Sequence, residues 1–596
     1  MGYYGVVCKV FASLACGVLC VLSAFSYAQD IPEGEAARQL IREQEQRQQQ
    51  ESLLKDDVDV RLDRPSMPTS AIMFPVNESP CFVINDIALV GQRLTEFSWL
   101  LDRFYRSFSK EMKNELGGEY ESAYALLEAS KNYVLGRCMG SVSINNVMAR
   151  LQNQLIEKGY VTSRIVAGSQ ELSTGVLVLT LVPGVVGDIR FSDQKNRNNV
   201  LPMNKNDLLN LRDIEQALES MRRLPSVTSD INIVPAQGEN AQPGESDLDI
   251  TWAQDFPLRT VLSLNNSGTE STGELQGSAS FSYDNLFGLH DITTLSIGHD
   301  VGGAEPLKGG TDSYSLGYLV PFGYWNVSLN TSKSGYFQTI PGNRVDYQYS
   351  GESRNANLDI SRLVYRDKIR KLTLGLNTWY RDSKNFIQDA EVLAQRRRTA
   401  GIELNANYRQ FIQQATFSGA ITYRRGTGAF GALAAPEDTF GEGASRPRIL
   451  KANVQLNVPF TLANQRFQYS TEWRRQYTRE RLVTQDRFSI GGRYTVRGFD
   501  GESTLLSETG WLVRNDLTMN LGGSAHSVYL GVDYGKVGGF SASSLLGDEL
   551  TGAVIGFKGT FFDSLSYDLL AGRSLNHPEG FSTDSGVVQF SLNWAY

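Results

Sequence analysis

The chain has 596 residues, 41% hydrophobic and 20% charged, and a formal charge of -8. That length exceeds one ordinary domain, and the acidic balance argues against a nucleic-acid partner. Its four histidines, His290, His299, His526 and His577, are scattered, with no H-E-x-x-H, G-x-S-x-G or Walker A pattern. No catalytic residue, metal or cofactor is assigned, and an enzyme is not expected.

Residues 1–28 read as a secretory leader: Lys9 gives the positive start, Val10 to Phe25 the apolar stretch, and Ser26-Tyr27-Ala28 an A-x-A-like cleavage site. The apolar run falls short of the roughly 20 residues of a membrane helix. Cys16, after Leu14-Ala15, fits a lipoprotein attachment site poorly. Cleavage after Ala28 removes Lys9 together with Cys8, Cys16 and Cys20, and leaves Cys81 and Cys138. Two cysteines in an exported chain read as one disulfide, with two buried thiols as the alternative. No mature segment approaches the length of a membrane helix, so any passage through a bilayer would use a barrel.

Within 29–55, residues 33–55 are dominated by Gln, Glu and Arg, with Pro32 ahead and Lys55 at the end. Acids first and a base last are helix signals, and Glu43–Arg47 and Glu51–Lys55 are favourable i,i+4 pairs. This helix is polar almost all round, so it has no evident core to pack against. Its length of roughly 30 Å approaches the thickness of a bilayer core. Residues 56–80 carry Pro65, Pro68, Pro75 and Pro80 and read as a semi-stiff linker.

Two α+β units follow. The first, 81–184, opens on the strand Cys81-Phe82-Val83-Ile84 and closes on the strand Val176 to Val182. Between them Val147, Leu151, Leu155 and Ile156 keep helical spacing. The second, 185–256, starts at Ile189 and Phe191, is helical over Leu208 to Leu224, and pairs Ile231-Asn232-Ile233 with Leu248-Asp249-Ile250. Neither shows polar groups clustered for chemistry.

From 257 to 596 the period becomes two. Leu275, Gly277, Ala279, Phe281 and Tyr283 alternate with Glu274, Gln276, Ser278, Ser280 and Ser282, and the ending Val588, Phe590, Leu592, Trp594 and Tyr596 does the same. A soluble sandwich also alternates. Here the polar face is rich in Ser, Asn, Gln and Gly, as a wet lumen requires, and aromatics gather near strand ends. Connections alternate between short (Phe287-Gly288-Leu289, Pro321-Phe322-Gly323, Ile412-Gln413) and long (301–311, 385–396, 425–447, 479–507). A transmembrane barrel of about sixteen strands has this signature.

The long loop 479–507 contains Gly491, Gly492, Gly498 and Gly501, which suit a chain folding back on itself. Downstream, alternation sends Leu530, Val532 and Tyr534 to one face and Gly531, Asp533 and Gly535 to the other. With the apolar face against lipid, Asp533 points into the lumen between two residues without side chains, a groove suited to a guanidinium. The loop is expected to enter the barrel and set Arg497 on Asp533, as a positioning contact of modest energy if water reaches it. An ordinary flexible surface loop is the bland alternative.

Val496-Arg497-Gly498-Phe499 followed by Gly531-Val532-Asp533-Tyr534-Gly535 resembles the two hallmark motifs of the outer-membrane assembly and translocation superfamily. Pro80-Cys81-Phe82-Val83-Ile84, Gly159-Tyr160-Val161-Thr162-Ser163-Arg164 and Val182-Pro183-Gly184 fit the same order. The chain looks like a two-partner-secretion transporter of the haemolysin secretion/activation (ShlB/FhaC/HecB) family. It departs in opening the Asp533 motif with Gly rather than an aromatic.

The resemblance implies that 81–184 and 185–256 are periplasmic POTRA domains. These would capture an unfolded exoprotein (an adhesin, haemolysin or contact-dependent toxin) by its N-terminal secretion domain, by strand addition to a sheet edge. It also implies a helix that plugs the resting pore, a Cys81–Cys138 bridge in the first POTRA domain, and export without ATP through a barrel in the bacterial outer membrane. Outer-membrane lipid and a barrel-assembly machinery would be its further partners. A barrel-assembly insertase is the main rival, but insertases usually carry more POTRA domains and no lumen-length helix. A passive porin and a membrane-anchored periplasmic enzyme are weaker rivals.

Overall fold

The computed structural model describes residues 58–62, 74–75, 77–101, 134–194, 197–237, 241–303, 308–342 and 344–596. The leader expected at 1–28, the polar helix at 33–55 and much of the linker lie outside them.

The first α+β unit contains β1 (Phe82–Ile84), β2 (Asp86–Gly91), β3 (Arg137–Met139), α1 (Ser141–Glu157), β4 (Arg164–Val166) and β5 (Val176–Val182). Its sheet runs β2-β5-β4, with β1 and β3 paired separately. The i, i+4, i+8 spacing of Val147, Leu151 and Leu155 puts all three on one face of α1. They meet Leu177, Leu179 and Leu181, the alternate residues of β5, in a fully buried core. Cys81 and Cys138 are bonded, with Cα atoms 5.3 Å apart, beside the Val83–Cys138 register pair of β1 and β3.

The second unit contains β6 (Val185–Phe191), α2 (Leu211–Arg222), β7 (Val227–Pro235) and β8 (Glu245–Gln254), with sheet order β6-β8-β7. Ile231 lies opposite Ile250 and Ile233 opposite Leu248. The helix begins at Leu211 rather than Leu208. Leu208 bridges to Val185, and the Asn210 side chain caps α2 by accepting from the Arg212 amide at 2.9 Å.

The barrel follows as β9 (Leu258–Asn265), β10 (Leu275–Asp284), β11 (Ile292–Gly302) and β12 (Gly309–Phe322). Next come β13 (Trp325–Ile340), β14 (Tyr347–Arg366), β15 (Arg370–Ile387), the two-residue loop strand β16 (Ala390–Glu391) and β17 (Arg397–Ile412). Then come β18 (Ala415–Thr427), β19 (Arg448–Leu462) and β20 (Gln465–Tyr477), followed by a loop hairpin, β21 (Phe488–Ile490) with β22 (Leu505–Ser507). The last wall strands are β23 (Thr509–Asn520), β24 (His526–Gly538), β25 (Glu549–Phe561), β26 (Leu565–Asn576) and β27 (Val587–Ala595).

Sixteen antiparallel wall strands close through β27 on β9, where Trp594 opposes Leu262. Closure pairs every strand edge, which the hydrocarbon of a bilayer demands. Alternation divides the two surfaces. Leu262, Phe281, Leu295, Leu316 and Leu329 lie exposed outside, while inside Ser280 and Ser296 share a 2.8 Å hydrogen bond. No helix among the described residues is long and apolar enough to cross a membrane.

The disulfide spans a sequence separation of 57 residues, for which chain entropy gives about 4 kcal/mol. Replacing both cysteines by serine is expected to lower the denaturant midpoint of the first unit while leaving the barrel's heat-modifiable migration unchanged.

Candidate functional site

The connection between β20 and β23 turns inward. Its hairpin packs Ile490, Val496, Phe499 and Leu505 against wall residues Leu512, Val537 and Leu550 and against Phe581, forming an apolar core inside the barrel. The rings of Phe499 and Phe581 meet edge-on at 5.9 Å. Gly498 takes φ 93°, and a Cβ there would approach the Arg573 carbonyl oxygen at 2.5 Å. Only glycine both adopts that angle and lets the loop backbone lie this close to the wall.

From this turn Arg497 reaches Asp533 on β24. Its Nε donates to Asp533 Oδ2 at 2.7 Å and its Nη2 to Oδ1 at 2.8 Å, while the Arg497 amide donates to Oδ2 at 3.0 Å. The fork matches the carboxylate bidentately. Arg497 Nη2 also donates to Asp516 Oδ1 on β23 at 2.7 Å. The Arg497 and Asp533 side chains are only 6% and 1% exposed, so water does not weaken this contact as the sequence reading allowed. Removing Arg497 strips the buried Asp533 carboxylate of its fork, at about 3–5 kcal/mol, whereas removing Asp533 leaves Arg497 with Asp516 alone.

The glycines either side of Asp533 make the groove. A Cβ on Gly531 would lie 2.6 Å from Arg497 Nη2, and one on Gly535 2.7 Å from Val496 Cγ2. Further arginines hold the loop. Arg474 and Arg514 both donate to the Tyr494 carbonyl, and Arg493 donates to the Phe590 carbonyl at 2.9 Å. Beneath them is a cavity of about 790 Å³ lined by both signs of charge, including Arg474, Arg514, Lys558, Glu472 and Asp568. Asp516, Arg474 and Arg514 were not singled out from sequence. Their signal was charge at lumen-facing positions of strands whose other face is apolar.

The opposite mouth holds a second polar junction, in a unit whose sequence gave no sign of one. Glu215, Gln216 and Glu219 on the polar face of α2 are buried against the barrel. Arg366, ending β14, is 3% exposed and lies 3.1 Å from Glu215 and 2.8 Å from Glu219. Lys371 lies 2.6 Å from Glu219. Linker residues complete the cluster. The Val60 and Leu62 amides donate to Glu219 and Glu215 at 2.9 and 2.8 Å, Arg366 donates to the Val60 carbonyl at 2.7 Å, and Asp59 pairs with Lys371 and Arg409.

Nearby, the Tyr324 hydroxyl donates to Asp213, whose carboxyl is pushed up to about 6, chiefly by burial. Burial, with Arg197 beside it, pushes His290 down to about 4. The ring is therefore neutral and accepts from Trp252 Nε1 at 3.0 Å. Among the described residues no group of His, Cys, Asp and Glu could hold a metal ion.

A family model described as haemolysin secretion/activation protein ShlB/FhaC/HecB matches residues 244–559. This chain belongs to that family. Models of the ShlB-type POTRA domain and the POTRA domain match residues 122–184 and 185–235. The outer membrane transporter CdiB-2 of Burkholderia pseudomallei is 31% identical over 98% of this chain and 99% of its own length. The hemolysin transporter protein ShlB of Serratia marcescens is 26% identical over 67% of this chain and 71% of its own. The solved structure of CdiB from Acinetobacter baumannii superposes with a TM-score of 0.77 at 28% identity, covering 95% of this chain and 99% of that one. The barrel thus sits in the outer membrane, with both POTRA domains on its periplasmic side.

Two variants test the two junctions. Gly531→Val is expected to expel the Arg497 guanidinium, so that residues 488–507 become protease-sensitive while the barrel stays heat-modifiable. Arg366→Ala is expected to weaken docking of the second POTRA domain by about 3–5 kcal/mol, read as faster proteolytic cleavage near Phe256.

Proposed function

We propose that this protein is the outer-membrane transporter of a two-partner secretion system, which carries a large exoprotein unfolded through its barrel to the cell surface. The loop pinned inside a wet, closed barrel carries this reading. A passive porin has no need of an internal arginine fork, and the family match favours the transporter over the insertase.

The lumen suits a chain in transit because its cavity offers a passing backbone hydrogen bonds and both signs of charge. The POTRA domains sit at the entry. Strand edges at β4 and at the nine-residue β7 are candidates for strand addition by the passenger's N-terminal secretion domain. The loop bearing Arg497 keeps the lumen wall in its export-competent form, and the polar helix at 33–55 plugs the resting pore. With no nucleotide motif in the chain, export draws on folding of the passenger outside the cell. Adhesins, haemolysins and contact-dependent toxins are the passenger classes, and a barrel-assembly machinery inserts the transporter itself.

Co-expression with the secretion-domain fragment of a neighbouring exoprotein, in a host lacking relatives of this chain, tests the reading. Fragment should reach the medium only with the intact transporter. A well-inserted barrel exporting nothing, whose depletion impairs other barrels, would favour the insertase instead. Deleting residues 33–55 should raise single-channel conductance in planar bilayers severalfold, and unchanged conductance would remove the plug from the account.

A further inference from the structure

The lipid-facing surface of the barrel is not uniform around its rim. On β13 the outward residues run Val327, Leu329, Thr331 and then Lys333, and on β14 Leu358, Ala356 and then Arg354. On β17 they run Leu404, Ile402, Ala400 and Arg398, on β18 Ile421, Tyr423 and Arg425, and on β19 Val454, Ala452, Leu450 and Arg448. The ladder confirms one common face, since Leu329 opposes Leu358, Ile402 opposes Arg425, and Arg425 opposes Arg448. With Lys384 on β15, opposite Glu352, six bases end the apolar stripes of six adjacent wall strands.

These bases lie at the outer end of the membrane span. Lys333 is eight residues above the girdle residue Trp325, and Arg448 is twelve from Phe460. Strands rising about 3.3 Å per residue with a tilt of about 40° then place them roughly 20–30 Å up, around the top of an apolar band about 25 Å tall. The long loops leave from this same end.

The pairing calls for an external anion. Lys333 stands directly opposite Arg354, and Arg425 directly opposite Arg448, an arrangement of like charges that is unfavourable unless a counter-charge is shared. Internal acids compensate only in part. Glu352 serves Arg354 at 2.7 Å and Lys333 at 3.7 Å, Asp382 serves Arg398 at 3.2 Å, and Glu480 serves Arg448 at 3.5 Å. Arg425 is exposed and has no ion-pair partner among the described residues. Glu391 also faces Lys384 but is held by Arg396, so six positive charges share three acids not already taken by another base. On the far wall Lys536 is matched by Asp548 and Glu549, and Arg573 has no ion-pair partner among the described residues.

We propose that the outer rim of β13–β19 is a binding surface for the phosphorylated glycolipid of the outer leaflet, with these bases on its phosphates and Tyr423 and the apolar stripes below against its acyl chains. The proposal rests on the outer-membrane placement and commits to the outer leaflet, because inner-leaflet phosphates lie at the other end of the strands. Such a lipid would fix the depth and tilt of one wall of the barrel beneath the loops of residues 388–396 and 428–447.

The full chain, purified in detergent, is titrated with bisphosphorylated lipid A, dephosphorylated lipid A and phosphatidylglycerol, and bound lipid is counted by native mass spectrometry. The wild type should retain bisphosphorylated lipid A in preference to both others. The variant R354Q/R425Q/R448Q should bind it roughly a hundredfold more weakly. Its altered side chains face lipid, so heat-modifiable migration should be normal, and loss of that migration in the wild type would instead overturn the barrel placement. Equal affinity of wild type and variant, or indifference to the phosphates, would refute the surface. Phosphatidylglycerol displacing lipid A mole for mole would refute the outer-leaflet assignment.

Discussion

A buried guanidinium must be matched by carboxylates, and the loop inside this barrel depends on that constraint. Arg497 meets it with Asp533 and Asp516 on adjacent strands. Once the fork is seated, Val496 and Phe499 are carried into the apolar core beneath the outer rim. The wall is shaped around it, since a side chain at Gly531 would occupy the space of the guanidinium itself. The loop is therefore a built part of the lumen, and the geometry of its central charged contact is one that lysine could not reproduce.

The periplasmic mouth solves a different problem by similar means. Glu215 and Glu219 are one helical turn apart, an arrangement of like charges that is unfavourable on an isolated helix. Arg366 and Lys371 of the barrel supply the missing charge, and linker residues 59–62 fill the remaining hydrogen bonds. The second POTRA domain, the barrel and the linker therefore share one buried polar cluster.

Much of this architecture was legible in the sequence because it rests on periodicity. A period of two with a Ser- and Asn-rich face gave the barrel, and alternating connection lengths gave its orientation. The spacing of Val147, Leu151 and Leu155 gave the helix of the first POTRA domain. Gly531 and Gly535 flanking Asp533 outlined the groove before any partner was visible. The Arg366 cluster was not legible, because its members are scattered from Asp59 to Arg409 and meet only when three units dock. Nor was the share of Asp516 in the fork, since a lone acid on a lumen-facing position reads as solvated until the loop covers it. The boundary of α2 shifted for a local reason, the Asn210 cap, which competes successfully with a pattern that runs on through Leu208.

We propose that the arginine fork, and not merely the presence of the loop, makes the barrel competent for export. Export of a secretion-domain fragment into the medium by Arg497→Ala and Asp533→Ala transporters tests it most directly, with each barrel's insertion verified by heat-modifiable migration. Both variants should give normally inserted barrels that release little or no fragment, with the double variant no worse than either single one. Normal export by both inserted variants would contradict it.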